Sequence, residues 1–149
     1  MNEVKAEKAP PSASGARRAA RLAAVQALYQ MEYGQERHEG LHLDDGGGDV
    51  AAPDGAVLAA IVRTAQERRA DIDEILTKSL SPEWPLARLD SVLRAVLRAG
   101  VAELLHDGAT PAAILMTDYV DVAHAFFGGK EPGLVNAVLD KVAKILRGA

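Results

Sequence analysis

The chain has 149 residues, of which 48% are hydrophobic and 26% charged, with a formal net charge of -4 and no cysteine. This length suits one globular domain whose core is large enough to fold without disulfides. The lack of cysteine excludes a disulfide framework, a thiol nucleophile and a Cys-ligated metal site. No apolar signal segment and no membrane-length apolar run occur in the sequence, so we expect a cytoplasmic protein with no membrane partner.

The first half of the chain predicts a tail, a helix, a loop and a second helical segment. Residues 1–15 show no apolar periodicity, which is typical of a disordered tail. From Ala16, the run ARRAARLAAVQALYQME consists mostly of strong helix formers and predicts the first helix. Residues 34–53 are rich in glycine and acids and predict a loop. Asp54 is a candidate N-cap for a continuous helix that ends at Ser81-Pro82-Glu83-Trp84-Pro85.

This proline-containing stretch divides the predicted fold into subdomains of residues 16–80 and 81–147. Asp90 is the candidate N-cap of the next helix, which Asp107-Gly108 ends. Thr110 is a candidate N-cap before Pro111, and a last helix follows the turn FGGKEPG. Because no alternation typical of strands occurs, residues 16–149 predict an all-α bundle of two packed helical subdomains with about seven helices.

Residues that could support catalysis or hold a metal or cofactor do not occur at diagnostic spacing. Gly128-Gly129-Lys130 is not a phosphate-binding P-loop, because Glu131 stands where that motif needs Ser or Thr. His38 and His42 are four residues apart, but Gly40 weakens a helix there and no further ligands follow, so we expect no metal site. Asp118 and Asp121 are expected to be solvated. The sequence therefore predicts a protein without enzymatic activity and without a cofactor.

Two features of the sequence indicate a binding site for an anion. The first is the group Arg17, Arg18 and Arg21, whose position at a helix N-terminus opposes the macrodipole. It is either an anion-binding arm or a solvated basic face on a frayed helix start. The second is the turn from Gly128 to Gly133, which brings Lys130 beside the free N–H groups of the last helix, where a phosphate can bind. Ordinary helix-ending glycine chemistry with a surface lysine also explains this turn.

Four segments together resemble the NusB family of transcription antitermination factors. They are ARRAARLAAVQALY, LDSVLRAVLRAGVAELL, TPAAILMTDYVDVAHAF and GLVNAVLDKVAKILR, within residues 16–147. The resemblance implies two packed helical subdomains and a heterodimer with the NusE-type small-subunit ribosomal protein. It also implies binding to boxA RNA, with RNA polymerase and other Nus factors as further partners, and read-through of terminators in ribosomal RNA operons.

The resemblance also assigns roles to individual residues. It places RNA-binding residues in the basic segment and around the start of the last helix, and partner-binding residues at the A-L-Y motif and on the L-x-x-V-L-R helix. In many relatives an aromatic residue precedes V-N, whereas this chain has Leu134 there, which cannot stack on a base. The implied RNA-binding residues are Arg17, Arg18, Arg21, Lys130, Glu131, Gly133 and Leu134, and the implied partner-binding residues are Tyr29 and Arg94.

Two other functions remain open at this stage. The same helical domain occurs at the N-terminus of RNA cytosine methyltransferases, but this chain has neither a cofactor-binding βαβ segment nor a catalytic cysteine. The chain is alternatively a helical protein-interaction module or homodimer without specific RNA binding.

Overall fold

A computed structural model describes residues 13–32 and 52–148. The predicted tail up to residue 12 and most of the predicted loop, with His38 and His42, lie outside the described residues. The described part contains one 3-10 helix and no strand. It has six α-helices, which are α1 (Ala13–Glu32), α2 (Gly55–Glu67), α3 (Arg69–Ser79), α4 (Ser91–His106), α5 (Ala112–Phe126) and α6 (Glu131–Arg147), and the 3-10 helix spans Leu86–Arg88 between α3 and α4. The all-α fold is confirmed.

Two predicted N-caps are confirmed by their hydrogen bonds. The Asp54 carboxylate accepts from the backbone N–H groups of Ala56 and Val57 at 3.0 and 3.1 Å. The Asp90 carboxylate accepts from Val92 and Leu93 at 2.8 and 3.4 Å. Each aspartate thus satisfies N–H groups that a helix start leaves unpaired.

The N-cap prediction for Thr110 is wrong. Helix α5 begins at Ala112, and Pro111 occupies the N-cap position without a side-chain hydrogen bond. The Thr110 hydroxyl donates instead to the Asp107 carboxylate at 2.6 Å. The hydroxyl is therefore held by the turn that precedes the helix.

The helix predicted to continue from Asp54 is divided at Arg68. Arg68 has φ -114° and ψ 29°, outside helical values, and separates α2 from α3. No Gly or Pro marks this position, so the local sequence gave no signal for it. The segment predicted as one helix thus forms two, α2 and α3.

Helix α4 is the centre of the molecule. Ten of its residues are buried, and all five other α-helices pack against it. One hydrophobic cluster includes side chains from all six helices, so the segments before and after the proline-containing turn share a core. Gly100 permits close packing on α6, because a Cβ at this position would lie 2.9 Å from the Leu139 side chain. None of the described helices is long and apolar enough to cross a bilayer.

Candidate RNA-binding and partner-binding surfaces

Arg21, predicted as an anion-binding side chain, lies in the interior. It is 1% exposed. Its Nε and Nη2 atoms donate to the two carboxylate oxygens of Glu103 at 2.8 and 2.7 Å, and its Nη1 donates to Asp118 at 2.6 Å. The Tyr119 hydroxyl donates to the same Glu103 carboxylate at 2.8 Å. We call Arg21, Glu103, Asp118 and Tyr119 the buried arginine cluster.

The cluster stabilises the charged form of its arginine. Burial alone would lower the pKa of the Arg21 guanidinium, but hydrogen bonds and attraction to Glu103 outweigh burial and raise this pKa. Burial and the nearby Glu103 charge together raise the pKa of the Tyr119 phenol well above its usual value. Tyr119 therefore stays a neutral hydrogen-bond donor at physiological pH.

The expectation that Asp118 is solvated is wrong. Asp118 is 5% exposed and binds Arg21, because its position on α5 faces α1. Asp121, one turn later, is exposed as predicted. A pair of acids at i, i+3 can thus place one member in the core and the other in solvent.

Arg17 and Arg18 differ from Arg21 in exposure. The Arg18 side chain is 61% exposed, and its Nε lies 3.4 Å from the Asp118 carboxylate. Arg17 is partly exposed and makes no ion pair with any residue that the structure describes. Arg18 thus adds a positive charge beside the Asp118 carboxylate at the surface end of the buried arginine cluster. Only Arg17 and Arg18 of the predicted basic segment present charge to solvent.

The predicted RNA-binding residues at the start of α6 are more exposed. Lys130 occupies the N-cap position of α6, and both Lys130 and Gly133 are exposed. Lys130, Glu131 and Leu134 line a groove of about 310 Å³ together with Trp84, Arg88, Leu89, Asp90 and Leu93. Within the described residues, one oxygen of the Glu131 carboxylate is buried and has no hydrogen-bond partner. The structure thus brings three of the four predicted residues into one concave surface, which we call the α6 groove.

The predicted partner-binding residues Tyr29 and Arg94 both contact the molecule's own interior. Tyr29 is 4% exposed. Arg94 donates to the Leu89 carbonyl at 2.6 Å and to the Glu32 carboxylate at 2.8 Å. Arg94 therefore connects the end of α1 to the start of α4. Met31, which is 46% exposed, supplies exposed apolar surface near Tyr29.

Glu32 also belongs to a larger ion-pair network at this end of the molecule. Arg98 binds Asp73 with two hydrogen bonds of 2.9 and 3.0 Å and lies 3.6 Å from Glu32. The network ties α1, α3 and α4 together. Arg94 and Arg98 thus make their ion pairs within the molecule.

Sequence reasoning missed the carboxylates of the buried arginine cluster. Arg21 precedes Val25 and Tyr29 by four and eight residues, so it lies on the apolar stripe of α1. Glu103 lies on α4 among buried residues. Opposite charges on the buried stripes of two helices indicate an internal pair, since a lone buried charge is costly. This pattern in the sequence could have identified the carboxylates that pair with Arg21.

The comparison with family models decides the family. The model of the NusB family matches residues 18–144. The chain belongs to the NusB family. The family match covers the buried arginine cluster and the α6 groove, and it confirms the resemblance of the four segments.

Curated relatives in the NusB family match nearly the full chain. The chain is 44% identical over 156 residues to the transcription antitermination protein NusB of Bartonella quintana, with 99% of each chain covered. It is 43% identical over 159 residues to the NusB of Rhizobium etli, with 99% of this chain and 98% of the relative covered. Each match thus spans nearly all of this chain and nearly all of the relative.

Solved structures of the NusB family share the fold. Thermotoga maritima NusB is 26% identical and has a TM-score of 0.68, with 86% of this chain and 90% of that chain covered. A NusB chain from a crystal structure of the antitermination factors NusB and NusE with double-stranded RNA is 28% identical and has a TM-score of 0.67, with 87% and 96% covered. The second neighbour was thus captured with both an RNA and a protein partner.

Proposed function

We propose that the protein is a transcription antitermination factor that binds boxA-type RNA as a heterodimer with the NusE-type ribosomal protein and promotes read-through in ribosomal RNA operons. The observation that carries this proposal is its near full-length match to relatives named for antitermination. The neighbour solved with NusE and RNA supports both partners. This function involves no catalysis, and it places the protein in the cytoplasm with RNA polymerase and other Nus factors.

We assign RNA binding to the solvent-exposed cations. Arg17 and Arg18 lie on α1 near the Glu103 end of α4, and Lys130 lies at the other end, in the α6 groove. Leu93 in that groove and Glu103 are ten residues apart on α4, which corresponds to about 15 Å along the helix axis. We propose that one single strand of RNA contacts both places. Arg21 contributes indirectly by holding α1 against α4 and α5.

Gly133, Glu131 and Leu134 complete the proposed RNA-binding segment. Gly133 has no atom within 4 Å of an added Cβ, so its surface is open to an approaching backbone. The backbone N–H groups of Glu131 and Gly133 lie in the first turn of α6, at the positive end of the helix dipole, which favours a phosphate. Pro132 between them has no N–H. Leu134 supplies an apolar wall and no stacking surface.

We place the NusE-type partner at the surface beside Tyr29 and Arg94. Both side chains shape this surface from within, because Tyr29 is buried and Arg94 is held by Glu32 and Leu89. Exposed apolar area for the contact comes from Met31. A methionine adapts its shape to a partner at low cost.

The proposed function is tested by titrating boxA RNA and a scrambled RNA of equal length with the protein, alone and with the ribosomal partner. We expect the partner to strengthen binding to boxA RNA, and we expect scrambling to abolish that gain. Equal weak binding to both RNAs would contradict the proposal and favour a helical interaction module or homodimer. Sedimentation of the protein alone then distinguishes these two outcomes.

A further inference from the structure

The α6 groove contains the only tryptophan of the chain. Trp84 is 45% exposed, whereas most large apolar side chains of the described residues lie in the core. Its neighbours in the groove include Arg88, Lys130 and Leu134. The surroundings of this exposed indole, beside two cations, therefore differ from those of the apolar side chains in the core.

The backbone of Trp84 is held by a tight turn. The Trp84 N–H donates to the Ser81 carbonyl at 2.8 Å, and the Glu83 N–H donates to the Ser81 hydroxyl at 3.2 Å. Pro82 and Pro85 further restrict the same turn. The indole is therefore presented from a restrained backbone, which lowers the entropy lost when a ligand stacks on it.

The charges around the groove suit a nucleotide. Arg88 and Lys130 are exposed and make no ion pair within the described residues. The Asp90 carboxylate is already engaged as the N-cap of α4. The groove thus offers an aromatic face, an apolar wall at Leu134 and two cations without an ion pair to any described residue, and Glu131 adds one carboxylate to its lining. Single-stranded nucleic acids are bound by this combination, since bases stack on aromatic rings while cations bind phosphates.

We propose that Trp84 stacks on the base of one unpaired nucleotide of the bound RNA, while Arg88 and Lys130 bind the adjacent phosphates. This inference rests on the proposed function and deepens it by naming the stacking residue. Trp84 supplies the aromatic surface that Leu134 does not. A base within a double helix cannot enter the groove, so the proposal requires single-stranded RNA at this point.

Intrinsic fluorescence tests the proposal directly, because Trp84 is the only tryptophan. We expect boxA RNA to quench the Trp84 emission of the full chain along the same binding curve that anisotropy of a labelled RNA gives. When the partner is present, the complex formed with the Trp84→Phe variant gives the emission that does not come from Trp84, and this background is subtracted. Quenching that follows RNA binding supports a base placed on the indole.

Affinity measurements on variants provide the second readout. We expect Trp84→Ala to weaken RNA binding about tenfold and Trp84→Phe to retain most of the affinity, because stacking needs an aromatic face. Neither variant removes a cation, so the salt dependence should keep its slope. Ile145→Ala is the matched control, since Ile145 is 58% exposed and lies near the other end of α6.

The outcomes distinguish failure of the inference from failure of the proposed function. Suppose that the protein selects boxA RNA, that Trp84→Ala binds this RNA as tightly as the wild type, and that RNA does not quench the Trp84 emission of the wild type. The stacking proposal is then overturned and the proposed function stands. If the wild type does not distinguish boxA from scrambled RNA, both are overturned. If Trp84→Ala weakens only binding of the ribosomal partner in the absence of RNA, the groove is a protein-binding surface and the stacking proposal is wrong.

Discussion

Two regions of this molecule contain basic side chains, and the surroundings of those side chains differ. In the buried arginine cluster, Arg21 is surrounded by carboxylates from α4 and α5 and is closed to solvent. In the α6 groove, Lys130 and Arg88 are exposed and have no ion pair within the described part of the chain. The function of a basic residue therefore depends on the carboxylates that other helices bring to it. One region holds helices together, and the other remains free for a phosphate.

The largest expected effect comes from removing the buried cation. Arg21→Ala leaves Glu103 and Asp118 buried without their partner, so we expect the free energy of unfolding to fall by about 3–5 kcal/mol. Urea denaturation followed by circular dichroism measures it. The matched control is Arg17→Ala, which should change stability by no more than about 0.5 kcal/mol.

A second set of variants sharpens this result. Adding Glu103→Gln and Asp118→Asn to Arg21→Ala removes the unpaired charges and should recover part of the lost stability. If Arg21→Ala instead unfolds at the wild-type urea concentration and only RNA affinity falls, Arg21 acts at the RNA surface. That result would remove the distinction between the two basic regions.

Charge reversal in the open region should affect RNA and leave the fold intact. Lys130→Glu removes one phosphate contact, and we expect RNA affinity to fall and the salt slope to decrease by about 0.7. Thermal unfolding should stay close to that of the wild type, because Lys130 is exposed. Lys144→Glu, near the other end of α6, is the control for a general charge effect. Equal losses in both variants would contradict a local contact.

The smallest expected effect is a pH dependence caused by Tyr119. Burial raises the pKa of its phenol in the folded state, so ionisation of this group favours the unfolded chain. The contribution is fully present below the unfolded tyrosine pKa of about 10 and is lost as pH rises toward the folded value. Unfolding measured from pH 8 to 11 should show a steeper loss in the wild type than in Tyr119→Phe. Parallel curves would contradict the neutral buried phenol.

Local interactions explain which parts of the fold the sequence predicts. Asp54 and Asp90 act on N–H groups two and three residues away, so their capping roles are visible in the sequence. The helix break at Arg68 has no Gly or Pro signal and depends on how α2 and α3 pack against α4. Thr110 failed as an N-cap because Asp107 competes for its hydroxyl.

The candidate sites depend more strongly on tertiary contacts. The carboxylates that bind Arg21 are 82 and 97 residues away in sequence, so a count of local charge overstates the exposed charge of the basic segment. Trp84 and Lys130 meet only because the proline-containing turn packs near the start of α6. The family resemblance predicted Lys130 and Leu134 as site residues, but it did not predict the tryptophan beside them.

The most direct test of the distinction between buried and open cations is the salt dependence of boxA RNA affinity in the heterodimer with the ribosomal partner. For the double variant Arg17→Ala, Arg18→Ala, we predict a slope of log affinity against log salt that is smaller by about 1.4, or 0.7 for each phosphate contact. Arg63→Ala, Arg68→Ala removes equal charge from two exposed positions, one late in α2 and one at the break that follows it, and should leave the slope unchanged. An unchanged slope in the Arg17 and Arg18 variant would contradict RNA binding by the exposed cations of α1.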